Sequence, residues 1–384
     1  MARITKTKNA AARRVPMDRP ALASVSLPDH VLWQRARAKR IPLSFELELT
    51  ARCNNNCRHC YINFPAGDAA AQARELSVAE IDDYARQAVE LGSLWCLITG
   101  GEPLLRPDFP DIYLALKKRG LLVSVFTNAC LVDDRIIELF RKYPPRDIEV
   151  TVYGVTRETY EAVTQAPGSY DRFLVGLSRL AQAGIKPRLK AMAMHSNVHE
   201  LPQISTFCRR YTKDSFRFDP QLHLRYDRDP ERNAVIMQER LAPDQVVALE
   251  RADSERYRAL QKDCDKLLVK GKAAQGRSLF FCRAGMDSFT IGWDGSYKLC
   301  GSLIAPDCRY DLRSGTLREA WVKFTPRIRD RKPTTAEYTK RCGNCELINL
   351  CLWCPAHAYL ETGMLDQPIE RFCQIAQARR SLLP

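Results

Sequence analysis

The chain has 384 residues, 45% hydrophobic and 27% charged, a balance that gives a buried core and excludes a fibrous or disordered chain. No apolar run reaches the roughly eighteen residues of a membrane span, and no apolar segment follows the basic start, so no secretory signal is expected and a cytoplasmic location is. The net charge of +14 is uneven: residues 1–40 hold ten Lys and Arg against Asp18 and Asp29, so the body is only mildly basic and nucleic acid is not the expected partner.

Residues 1–40 read as a basic, Ala-rich tail, expected to be solvated and mobile, with a docking arm for an acidic partner or RNA as the alternative. Residues 41–50 carry a strand pattern that ends at the loop Cys53-Asn54-Asn55-Asn56-Cys57-Arg58-His59-Cys60-Tyr61. Ser77 and Glu80 have capping-box spacing and open a helix to about residue 91. Residues 94–99 are a continuous apolar run, expected to be a strand buried on both faces, and lead into Gly100-Gly101-Glu102-Pro103. Helix 110–119, strand 121–127, helix 133–143, strand 148–153, helix 170–183 closed by Gly184, strand 188–194, helix 199–211 and strand 216–224 follow. Six strand–helix units with long crossovers predict an α/β fold, a partial (β/α)6 TIM-like barrel that stays open. Barrel chemistry sits at the C-terminal ends of strands, where the cysteine loop, the Gly-Gly-Glu-Pro, Asn128 and Tyr153 all fall. The expected organisation is the tail (1–40), the barrel (41–225), a charged, helical bridging segment (226–278) and a small cysteine-rich domain (279–384).

Fifteen cysteines in a cytoplasmic chain point to metal rather than disulfides. Three of them lie within eight residues as C-x3-C-x2-C, with no fourth cysteine or spaced histidine beside them except His59. Structural zinc wants four ligands, whereas three thiolates suit a 4Fe–4S cluster with one open iron. This motif, followed by an aromatic and, some forty residues on, by Gly-Gly-Glu-Pro at a second strand end, resembles the signature of the radical S-adenosylmethionine (SAM) enzymes over residues 41–225. The resemblance implies that Cys53, Cys57 and Cys60 ligate the cluster, that Tyr61 sits beside the adenine of SAM, and that Gly100, Gly101, Glu102 and Pro103 hold the methionyl amino group. It further implies reductive cleavage of SAM to a 5′-deoxyadenosyl radical that abstracts hydrogen from the substrate. Asn128 aligns with a family Thr-Asn-Gly whose glycine is here Ala129. Lys190, on the fifth strand, is a candidate for the SAM carboxylate, a salt-bridged strand lysine being the alternative. Cys130, just after a strand end, is the candidate hydrogen donor. Cys96 and Cys208 read as buried structural residues, and His59 and His195 as hydrogen-bonded ones.

The C-terminal cysteines run Cys282-x12-Gly295-x4-Cys300, then Cys342-x2-Cys345-x5-Cys351-x2-Cys354, then Cys373. Taken alone, the four-cysteine array also has the spacing of a zinc ribbon. In this context the run resembles the seven-cysteine SPASM extension of radical SAM enzymes, with two residues where three are usual before Cys354. That likeness implies two auxiliary 4Fe–4S clusters. One is held by Cys342, Cys345, Cys351 and Cys373; the other by Cys282, Cys300 and Cys354, with an open iron or a further ligand such as Cys308. Asp294-Gly295 reads as a hairpin turn, with Asp287 and Asp294 as candidate bases.

The leading expectation is a radical SAM/SPASM oxidoreductase acting on a peptide or protein, with a flavodoxin- or ferredoxin-type electron donor and no membrane partner. Two alternatives stay open: the same chemistry on a small metabolite or tetrapyrrole precursor, and a non-enzymatic iron–sulfur or zinc protein.

Overall fold

A computed structural model describes residues 31–212, 216–262, 268 and 279–383. Most of the expected tail, and Cys264, lie outside the described residues, but Val31–Ala38 (α1), inside the span read as tail, is a helix.

The barrel strands are Ser44–Glu48 (β1), Trp95–Thr99 (β4), Leu122–Thr127 (β5), Asp147–Val152 (β6), Arg188–Met192 (β7) and Arg217–Asp219 (β8). A short pair, Arg52–Cys53 (β2) and Phe64–Pro65 (β3), brackets the cysteine loop. The six barrel strands pair in parallel in chain order, as the six strand–helix units required. Their alternation explains the layering. Phe45, Leu47, Cys96, Ile98, Val123, Val125, Ile148, Val150, Leu189 and Ala191 are buried against the outer helices. Intervening residues such as Glu46, Thr99, Phe126, Glu149 and Lys190 face the lumen, where they line its clefts. β4 therefore departs from expectation: Trp95, Leu97 and Thr99 are only half-buried, because the second face of the strand borders an open lumen rather than another packed layer.

The helices between strands start where local chemistry says. Val78–Glu90 (α3) carries the Ser77/Glu80 capping box, and Asp134–Lys142 (α5) is capped by Asp133. Arg157–Thr164 (α6), a short helix absent from the sequence reading, precedes Ser169–Gln182 (α7). Three helices, Pro230–Glu239, Pro243–Ala252 and Ser254–Lys262, follow β8.

The cysteine-rich part is not separate from the sheet. Ser288–Ile291 (β9) pairs in parallel with β1, and Ser296–Lys298 (β10) and Tyr310–Asp311 (β11) extend it antiparallel, so one nine-stranded sheet runs from β11 to β8. The turn between β9 and β10 is the expected hairpin, with Gly295 at φ +82° and Asp294 accepting from Ser296. A buried ion pair joins the two halves: the Lys298 ammonium lies 3.1 Å from both carboxylate oxygens of Glu48.

Candidate active site

The cysteine loop leaves β1 at the C-terminal rim of the barrel and is fixed along its length. Arg52 is bound by Glu75 (2.7 Å) and donates to the Ala66 carbonyl (2.8 Å). The Asn56 and Arg58 amides donate to the Thr164 and Val163 carbonyls at the end of α6, at 2.8 and 3.0 Å. From the segment after β8, buried Arg225 donates to the Cys60 carbonyl (3.3 Å) and to Asn63 (3.1 Å), while the Tyr226 amide donates to the Tyr61 carbonyl (2.9 Å). α6 and Arg225 thus shape the loop, and neither was legible as functional. Their role rests on carbonyls and a cation brought in from distant segments.

Within this frame Cys53, Cys57 and Cys60 line one cleft, together with His59, Tyr61, Gly100, Gly101, Asn128, Thr151, Tyr153, Lys190 and His223. Burial, then the neighbouring Cys60 and Cys53 thiols, pushes the Cys57 thiol well above its usual range. Three thiols on one cleft suit a metal centre, which would take them as thiolates. Around them Asn54 Nδ2, both polar atoms of the Asn55 side chain and His59 Nδ1 are buried without a hydrogen-bond partner. Burial lowers the pKa of His59 to about 4, so its ring is neutral. Among the described residues no three side chains already meet at a single-ion site; a multi-iron cluster spreads its thiolates further apart than one ion does. Donor set and orphaned polar groups therefore fit an iron–sulfur cluster with a polar ligand beside it.

The Gly-Gly-Glu-Pro turn lies directly against the start of the loop. The Gly101 amide donates to Thr50 (2.7 Å) and the Glu102 amide to Arg52 (2.9 Å). A Cβ on Gly101 would sit 2.2 Å from the Arg52 carbonyl oxygen, so only glycine fits. Gly100 and Gly101 border the cleft, whereas Glu102 is fully buried and turns inward. Its carboxyl accepts from Thr127 Oγ1 (2.8 Å), the Asn128 amide (2.7 Å) and the Leu104 amide (3.0 Å), and burial raises its pKa to about 7. Pro103 is buried at the start of the following turn. Glu102 therefore organises the Asn128 turn and does not face the cleft. Asn128 itself donates to Asn54 Oδ1 (2.8 Å), tying two strand ends together. Ala129, where a glycine was noted as usual, has φ +62°.

Two candidates are placed differently from the expectation. Cys130 is buried, directs its thiol at the Ser169 carbonyl (3.5 Å) and is not among the residues lining the cleft, because the turn set by Ala129 rotates it toward α7. Lys190 borders the cleft, but its ammonium is paired with Glu149 at 2.5 Å and lies 4.1 Å from the centre of the Phe126 ring. Tyr61 packs on Tyr226 (4.8 Å between ring centres) and His223 (5.8 Å).

The C-terminal thiols fall into two neighbourhoods. Burial, then Cys354 and Cys282, raises the Cys300 thiol to about 12. Burial, then Cys373 and Cys345, does the same for Cys342, and Cys351 responds to Cys373, Cys342 and Cys345. Cys308 belongs to neither: it is buried beside Arg331 and Asp307. Asp287 is held by Arg37 (3.0 Å) and Arg283, and Asp294 by Arg309 (2.7 Å) and Arg74 (3.1 Å), so both candidate bases are committed to ion pairs.

Residues 47–201 match the Radical SAM superfamily. That span is a radical SAM domain. Two relatives from Methanosarcina barkeri (strain Fusaro / DSM 804) are each 25% identical: an AdoMet-dependent heme synthase, matched over 82% of this chain and 92% of its own length, and an Fe-coproporphyrin III synthase, over 85% and 86%. Among solved structures, Streptococcus suis SuiB bound to S-adenosylmethionine superposes with a TM-score of 0.64 at 15% identity, covering 93% of this chain and 83% of SuiB. At that identity the likeness concerns the fold alone. The same protein has been solved with its precursor peptide SuiA, with a TM-score of 0.65 to this chain. No helix among the described residues is long and apolar enough to cross a membrane.

Proposed function

We propose that this radical SAM enzyme acts on a tetrapyrrole carboxylic acid held in the barrel lumen beneath the cysteine loop. The observation that carries this reading is the continuity of the lumen. The cleft under the thiols shares Phe126, Glu149, Lys190 and Met192 with two further clefts, which reach Arg146, Arg188 and Arg217 at the other end of the strands and Phe216 and Phe218 at the open edge. Aromatic and thioether walls suit a flat macrocycle. Lys190 and Arg217, which share Glu149 (2.5 and 3.0 Å), offer cations that a substrate carboxylate can engage. The two Methanosarcina barkeri relatives, matched over 82% and 85% of this chain, bear tetrapyrrole names, which supports the same class.

In this reading Cys53, Cys57 and Cys60 hold a 4Fe–4S cluster. When bound, that cluster supplies the electron that splits SAM. Asn54, Asn55 and His59 offer buried, unpartnered groups to SAM, and Tyr61 and Tyr153 close the cleft against water. Lys190 stands between the SAM site and the lumen, within reach of a carboxylate from either. Cys300, Cys354 and Cys282 form one auxiliary set, and Cys342, Cys345, Cys351 and Cys373 the other, with electrons delivered by a low-potential flavodoxin- or ferredoxin-type donor.

The test is anaerobic turnover of the reconstituted full chain with iron and metal-free coproporphyrin III. Formation of 5′-deoxyadenosine together with a mass change in the porphyrin is the expected result. No porphyrin binding and no product would refute the reading. A second reading, a peptide substrate, is favoured by the edge strand β8, whose free side could accept an extended chain by strand addition. It predicts that SAM cleavage is stimulated by peptides and not by porphyrins.

A further inference from the structure

The first cysteine of the loop is approached from the neighbouring strand end. Asn128 directly follows β5, and its Oδ1 accepts from the Cys130 amide at 2.9 Å, within the turn where Ala129 holds φ +62°. That bond leaves Nδ2, with its two N–H groups, facing the cysteine loop. Nδ2 donates to Asn54 Oδ1 at 2.8 Å and to Cys53 Sγ at 3.7 Å. The Asn55 amide approaches the same sulfur at 3.4 Å. Asn128 is anchored from behind, since its backbone amide donates to the carboxyl of the fully buried Glu102 at 2.7 Å.

The surroundings of Cys53 oppose negative charge except through these N–H groups. Burial, then the Glu102 carboxyl, holds the Cys53 thiol well above its usual range, while the Asn55 amide pulls the other way. A hydrogen bond to an ionised acceptor is roughly twice as strong as one between neutral groups, so the contact from Asn128 gains most once the sulfur is a thiolate.

We infer that the Asn128 carboxamide donates a hydrogen bond to Cys53 as a cluster thiolate and thereby raises the reduction potential of that cluster. The inference rests on the part of the proposed function that gives Cys53, Cys57 and Cys60 a 4Fe–4S cluster, and is independent of the substrate. An electron entering an iron–sulfur cluster adds negative charge that the sulfur ligands share, so hydrogen bonds to those sulfurs favour the reduced form. The step is the arrival of one electron from the external reductant. No bond forms or breaks, and the amide protons stay on nitrogen. Asn128 acts through Cys53 and is a positioning residue. Its two N–H groups divide the work: one ties Asn54 into the loop, the other serves the sulfur. Glu102 supports this by fixing the backbone from which the carboxamide projects.

The experiment follows the full chain, reconstituted anaerobically with iron and sulfide, by electron paramagnetic resonance while the potential is lowered stepwise. The signal that changes when SAM is added reports this cluster. In Asn128→Leu the equilibrium constant for its reduction should fall about tenfold, a midpoint about 59 mV more negative, with wild-type iron content. Asn54→Ala breaks the same loop tie but keeps the N–H group on the sulfur, and should leave the midpoint at the wild-type value. A wild-type midpoint in Asn128→Leu, or an equal shift in Asn54→Ala, would overturn the inference while leaving the cluster ligands intact. Asn128→Asp keeps the oxygen that holds the Cys130 amide and replaces only the N–H end. It decides the matter should Asn128→Leu not fold: a lowered midpoint supports the inference and a wild-type one overturns it. Loss of the cluster from both Asn128 variants would make the residue a structural tie and overturn the inference too. No SAM-sensitive signal in the wild type would overturn the ligation by Cys53, Cys57 and Cys60, and this inference with it.

Discussion

The buried pair between Glu48 and Lys298 offers the sharpest test of how the cysteine-rich half is mounted on the barrel. Glu48 is the last residue of β1, just ahead of the cysteine loop, and Lys298 is two residues before Cys300. Both side chains are nearly inaccessible, at 6% and 4% exposure, and the ammonium also donates to the Gly301 carbonyl at 3.2 Å. Lys298→Met keeps the chain length and most of the volume, so the main effect is an unpaired buried carboxylate with Glu46 beside it. Breaking one side of such a pair costs about 3–5 kcal/mol, a third or more of a typical total stability of roughly 5–15 kcal/mol. The double variant Glu48→Gln/Lys298→Met should recover to within about 1 kcal/mol of wild type, because two well-packed neutral side chains often replace a buried ion pair without loss. Urea unfolding of the metal-free chain under reducing conditions measures all four corners of the cycle. A Lys298→Met loss below about 1 kcal/mol, or a double variant no better than the single, would show that the pair is solvated and the mounting argument wrong.

Other expectations follow from single residues. Ala129 holds φ +62°, so Ala129→Gly should stabilise the chain by about 1 kcal/mol, seen as a raised melting temperature. Gly101→Ala forces a Cβ to 2.2 Å from the Arg52 carbonyl oxygen; a loss of roughly 2–4 kcal/mol and weaker SAM binding by calorimetry are expected, and wild-type values for both would contradict the packing. Burial lowers the pKa of His357 from 6.5 to about 3. The unfolded chain therefore takes up a proton below pH 6.5 that the folded chain refuses, and this part of the stability, roughly 2–4 kcal/mol, drains away as pH falls from 6.5 toward 3. His357→Gln should flatten that slope in urea titrations across the range. Cys57→Ala should lower the iron bound after reconstitution and abolish 5′-deoxyadenosine formation; full SAM cleavage would remove Cys57 from the ligand set.

Much of the architecture follows from short-range pattern. The alternation of apolar positions, the Ser77 capping box and the glycines at turns are properties of a few neighbouring residues, and the six parallel strands came out in the expected order. The structure also puts the cysteine loop and the two glycines of the Gly-Gly-Glu-Pro at strand ends on one cleft, since both directly follow a strand of the same sheet. The continuous apolar run of residues 94–99 misled because periodicity reports what a residue is, not whether a neighbouring layer covers it.

What the sequence determined by itself is the inventory: a three-thiol loop, a glycine-rich turn, six strand–helix units and a further run of C-terminal cysteines, each readable from spacing along the chain. Only the tertiary structure decided where these groups point. Glu102 faces Thr127 and Asn128 instead of the cleft, Cys130 faces Ser169, Lys190 is committed to Glu149, and β9 docks on β1 to carry Lys298 and Cys300 to the barrel. The meeting of His223 with His357 belongs to the same class, since the two rings come from distant segments. The physical reason is common to all of them. The direction of a side chain is set by the burial and hydrogen bonds that remote parts of the chain supply, and these exist only once the chain has folded.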